Sequence, residues 1–150
     1  MFFRKKRKEK EGSKHIVASR NALSIFDEHY IASGCNRDYL NWLVDDPRII
    51  GSITALSVIS LLNEMDEPEY EDIIKVFIAM YYAIFLVKDK QVIAAALRIS
   101  AEDPYAIEAK DKILNNFFDH VDSGVPMPEH NTILIDIIKQ SVNIQAIRRL

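Results

Sequence analysis

Apolar residues return every three or four positions along most of this chain, the interval at which side chains share one face of an α-helix. In His15–Ser33 the repeating positions are Ile16, Leu23, Phe26 and Tyr30, which predict one buried stripe, and Gly34 follows as a helix-ending residue. Asn36 is placed to cap a short helix over Arg37–Val44 that carries Tyr39, Leu40, Trp42 and Leu43. Asp46-Pro47 opens the next helix, to about Glu64, because Asp accepts the first free amides and Pro suits the first turn. Its apolar positions include Ile49, Ile50, Ile53, Leu56, Ile59 and Leu62, while Gly51, Ser52, Ala55 and Ser57 are small enough to admit a close neighbour.

The stretch Asp66 to Lys88, DEPEYEDIIKVFIAMYYAIFLVK, differs from the rest in that no charged residue interrupts Val76 to Val87. A helix that is apolar on every side needs cover on every side, so a central helix is predicted at about 68–87. The run is twelve residues long, about 18 Å of helix against the roughly 30 Å of a bilayer core, and a buried helix is the preferred reading over a membrane span. Asp66, Glu67, Glu69, Glu71 and Asp72 flank Pro68, where negative charge favours a helix N-terminus.

Lys88-Asp89-Lys90 breaks the apolar pattern, which resumes at Val92, Ile93, Ala96, Leu97 and Ile99. No helix breaker stands there, but a turn suits a compact domain better than one helix from Pro68 to Ser100. Asp103-Pro104 repeats the cap-and-proline start, and the helix it opens is expected to bury Ile107, Ile113, Leu114, Phe117, Phe118 and Val121 before stopping at Ser123-Gly124. After the connector VPMPEHN, a last helix from about Asn131 repeats Ile133, Ile137, Ile138, Val142, Ile144 and Ile147, and ends in Arg148-Arg149. The predicted fold is all-α: a single compact bundle of about six to seven helices over residues 15–150, around the central helix. The order of helices near Asp103-Pro104, Ala106 and Ala109 has a slight likeness to tetratricopeptide pairs, but Met80 stands where a small residue belongs, and no family is assigned.

Charge changes the picture at the N-terminus. Residues 1–20 hold eight of the 19 Lys and Arg and two of the 22 acidic residues, a net charge of +6 there and −9 over the remainder. Six basic residues, Arg4, Lys5, Lys6, Arg7, Lys8 and Lys10, follow Phe2 and Phe3. Residues 1–14 cannot bury enough apolar area to offset the entropy of ordering, so a basic arm, mobile unless bound, is expected. Three partners suit it: an acidic protein surface or a second copy of the chain, a nucleic-acid phosphate backbone, or an anionic membrane surface that Phe2 and Phe3 enter.

Candidate chemistry is sparse. The single cysteine, Cys35, allows no internal disulfide, and a reducing cytoplasmic setting is the simplest expectation. The first twenty residues lack the apolar stretch of a secretion signal. His29, His120 and His130 form no metal pair at helical spacing, Cys35 has no evident base, and no glycine-rich loop follows a strand. No catalytic, cofactor or metal site is therefore expected, and the chain reads as a non-enzymatic helical adaptor or assembly protein with the arm as an electrostatic tether. Trp42, Phe77, Tyr81, Tyr82 and Phe85 are candidate anchors on a partner-binding patch, with core packing as the alternative use of each.

Overall fold

Three helix starts are built as the sequence predicts. In the computed structural model, which describes the backbone of residues 2–150 and the side chains from residue 12 onward, Asp46 accepts the amides of Arg48 and Ile49 at 2.9 and 3.3 Å. Asp103 does the same for Tyr105 and Ala106 at 2.8 and 3.4 Å, and Asn131 for Ile133 and Leu134 at 2.9 and 3.4 Å. These caps satisfy amides that have no partner inside the helix. Gly34 and Gly124 end helices at φ +73° and +69°, where a side chain would be strained.

The described residues form six α-helices and one 3-10 helix: α1 Phe2–Ala32, the 3-10 helix Arg37–Leu43, α2 Pro47–Leu62, α3 Tyr70–Phe85, α4 Lys90–Glu102, α5 Pro104–Ser123 and α6 Thr132–Arg148. Residues 68–100 are two helices, not one. Leu86 turns left-handed at φ 57° and ends α3, and Asp89 caps α4 by accepting the Gln91 amide at 2.8 Å. The short helix at Arg37–Leu43 is 3-10 in form.

The bundle is centred on α2. It packs against α1, α3, α4, α5 and α6, and every residue from Ile49 to Ser60 except Thr54 and Val58 is buried. Its three serines are small enough to be buried, and two return their protons locally: Ser52 donates to the Arg48 carbonyl and Ser57 to that of Ile53, each at 2.8 Å, while the buried Ser60 hydroxyl has no partner among the described residues. At Gly51 the α5 backbone comes so close that an added Cβ would overlap the Ala106 carbonyl. The expected central helix, α3, packs mainly on α1, α2 and α4 and is covered on one side only. The apolar stripes of the outer helices are also narrower than periodicity suggests, since Ile16, Phe118, Val121 and Ile147 are exposed.

Two buried tyrosines hold the link between α1 and α2. Tyr30 on α1 donates to the Asn36 carbonyl at 2.8 Å, and Tyr81 on α3 donates to that of Val44 at 2.7 Å. Burial pushes both phenols up to about 12, with Cys35 beside Tyr30 and Asp45 beside Tyr81 adding to the effect. Asp46, fully buried, receives a further hydrogen bond from Gln145 of α6 at 3.1 Å.

Candidate functional site

One side of α3 is a column of aromatic rings. Phe77 stacks on Tyr81 at 5.9 Å between centroids, and Tyr81 meets Phe85 at 5.0 Å. All three are buried, so these members of the expected patch are core residues and present no surface to a partner. Trp42 is half-buried, with the Tyr39 ring stacked on it at 4.3 Å and the Arg149 guanidinium 4.8 Å from its centroid, so its ring already has partners within the chain. Tyr82 alone of the α3 candidates is exposed, at 41 %.

Tyr82 belongs to the opposite side of α3, where Lys75, Ala79, Ala83 and Leu86 are also exposed. Their spacing of three, four and seven places them on one face. Across from it α1 presents Ile16, Ser19, Arg20 and Leu23 with the same spacing. These α1 residues and Lys75, Ala79 and Ala83 line an open groove of about 300 Å³ whose walls are mainly apolar, with Arg20 and Lys75 as its cations; Tyr82 and Leu86 lie on the same face of α3 outside that lining. Lys75 also reaches Glu71, one helical turn away, at 3.3 Å. His15 ties α1 to α3 through Asp72 at 2.7 Å.

Within the acidic stretch, Asp72 has a structural use. Burial raises its carboxyl, but the Glu69 amide at 2.8 Å and the His15 ring outweigh that and hold it below the usual carboxylate range. It is a helix-start and interhelix residue. Asp66, Glu67, Glu69 and Glu71 are exposed around it.

Leu86 is the least expected residue on this outer face of α3. It holds a left-handed backbone conformation at φ 57°, which costs a leucine about 1 kcal/mol or more relative to the helical region, and is 74 % exposed. Neither packing nor backbone geometry within the chain explains a leucine there. Ala79, Ala83 and Leu86 carry no sequence signal stronger than apolar character, and the uncharged run that contains them reads as core for that reason. The tether residues Phe2, Phe3, Arg4, Lys5, Lys6, Arg7, Lys8 and Lys10 have side chains outside the described residues; the groove lies further along the same helix.

The residues weighed for chemistry are differently disposed. His29 is buried, and its ring nitrogens both have partners: Nδ1 lies 2.6 Å from the Ile25 carbonyl, and Nε2 accepts the Asn131 amide at 2.8 Å. An amide can only donate, so the proton is on Nδ1, and the neutral ring joins α1 to the start of α6. His130 stands edge-on to it with centroids 5.8 Å apart. His120 lies 3.2 Å from the Val125 carbonyl, and the Cys35 amide donates to Ser33 at 3.2 Å. Two of the four thus meet, with the inner one committed to structure. Among the described residues no three His, Cys, Asp or Glu side chains are placed to hold a metal ion, and no helix is long and apolar enough to cross a membrane.

Comparison with protein-family models, with curated proteins and with solved structures gave no match to this chain.

Proposed function

We propose that this is a non-enzymatic helical adaptor or assembly protein whose contact surface is the α1/α3 groove, with the basic arm as its electrostatic tether. The observation that supports it most is the apolar groove itself, which is open in the single chain, and the same face of α3 continues beyond it to Leu86, an exposed leucine kept at a backbone cost. Apolar surface that is open in the single chain is what a partner helix covers. Arg20 and Lys75 favour acidic residues on its flanks. The net charge of +6 over residues 1–20 adds long-range attraction to the same kind of partner.

The test is affinity capture from the native host with mass spectrometry, run on the wild-type chain, on Ala79→Glu/Ala83→Glu and on a chain lacking residues 1–14. A partner retained by wild type and lost from the groove variant supports the reading, and light scattering shows whether that partner is a second copy. Equal capture by wild type and groove variant removes the groove from the account. Capture that depends only on the arm and falls steeply with salt turns the reading to phosphate backbone, and sedimentation with anionic but not neutral vesicles turns it to a membrane surface.

A further inference from the structure

On the other side of α3 from the groove, four helices meet without closing. Thr54 and Val58 of α2, Ile73 and Phe77 of α3, Leu97 and Ser100 of α4, and Lys110 and Leu114 of α5 line a half-open pocket of about 200 Å³, with the exposed Tyr70 and Ala101 also in its lining. Val58, Ile73, Leu97 and Leu114 are only half-buried there, although each lies at a helix junction. The cover they lack is the volume of the pocket. A sealed apolar cavity of about 150 Å³ admits a benzene-sized molecule in another protein, so by volume this more open space has room for a body of about six carbons.

Its polar groups are few and unequal. Thr54 Oγ1 lies 2.6 Å from Ser100 Oγ and donates to the Ile50 carbonyl at 3.1 Å, so Ser100 donates to Thr54 and the pair satisfies its own protons. Lys110 is the cation of the lining, and its nearest carboxylate, Asp111, lies 4.0 Å away and is 56 % exposed. Lys110 is itself 30 % exposed, so this long contact leaves the ammonium largely to water and free to take an anionic ligand. A mainly apolar cleft with one ammonium at its wall suits an apolar tail with an anionic head.

We propose that this four-helix pocket binds a short amphiphilic carboxylate, with the tail between α2, α3, α4 and α5 and the carboxylate on Lys110. The site is separate from the α1/α3 groove and stands or falls without it. The test titrates hexanoate into the full chain and follows the methyl resonances of Ile73, Leu97 and Leu114 by NMR. Hexanol supplies the tail without charge, and acetate the head without tail. The expected result is saturable shifts of those methyls with hexanoate at about 1 mM or below, weaker ones with hexanol and none with acetate. Lys110→Met lowers hexanoate affinity roughly tenfold, the loss of one charge-assisted hydrogen bond, and leaves hexanol unchanged. Ala101→Trp, at an exposed position of the lining, abolishes both while the rest of the spectrum keeps its folded dispersion. No saturable shift with hexanoate, equal binding after Lys110→Met, or undiminished binding after Ala101→Trp overturns the proposal.

Discussion

α2 and α3 have the same length of sixteen residues and almost the same apolar character, yet they occupy opposite situations. α2 carries a glycine, three serines and a threonine, and is enclosed by every other α-helix. α3 has an uninterrupted apolar run and is open along Ala79, Tyr82 and Ala83. Size decides the outcome more than hydropathy does. Small residues let neighbouring backbones close around α2, as at Gly51 against Ala106, and local hydrogen bonds offset the burial of the Ser52, Thr54 and Ser57 hydroxyls, while Ser60 Oγ is buried without a partner among the described residues. The bulky rings of α3 fill one side of the bundle, and its alanines form an outer surface.

Substitutions that probe this contrast rank by how deeply they reach into the shared core. Phe77→Ala removes a buried ring from the side of α3 that faces inward, and denaturant unfolding should show a loss of about 3 to 5 kcal/mol. Gly51→Ala should cost about 2 to 3 kcal/mol through overpacking against Ala106. The sign is the informative part, because the same change at an open helical position gains about 1 kcal/mol.

Tyr81→Phe keeps the ring and deletes the donor to the Val44 carbonyl, for an expected loss of about 1 to 2 kcal/mol by the same measurement. The tyrosines also set a pH limit. Tyr30 and Tyr81 have phenols raised from 10.0 to about 12 in the fold, so their neutral forms contribute full stability below pH 10. That contribution is lost as pH rises from 10 towards 12, because the unfolded chain ionises first. Tyr81→Phe should flatten part of that decline, as followed by unfolding midpoints across the range. Leu86→Gly is the smallest of these effects and has the opposite sign. Relief of the left-handed leucine should raise stability by about 0.5 to 1 kcal/mol, while partner binding weakens.

Much of the frame was legible in the sequence because it is written locally. Asp46-Pro47, Asp103-Pro104, Asn131 and Gly124 marked helix ends by contacts within three or four residues, and the structure has its ends there. The all-helical class followed from the same periodicity. The identity of the central helix did not, since it depends on how near α5 can come to Gly51, a contact between residues 55 positions apart in sequence. The links Gln145 to Asp46 and Asn131 to His29 are long-range for the same reason. The groove was hidden by its own composition: Ala79 and Ala83 lie in one uncharged run with Phe77 and Tyr81, and only the packing of α1 shows which side faces out.

The central claim is that apolar character is structural in α2 and available for contact in α3, and one substitution placed in each helix tests it. Ala55 is fully buried in α2, and Ala83 lies exposed in the groove. Ala55→Glu should prevent cooperative folding, because an unpaired charge is forced into the core. Ala83→Glu should leave the thermal unfolding midpoint unchanged within error and abolish retention of the partner captured by wild type. A folded Ala83→Glu chain that still holds that partner, or one that fails to fold, would contradict the account.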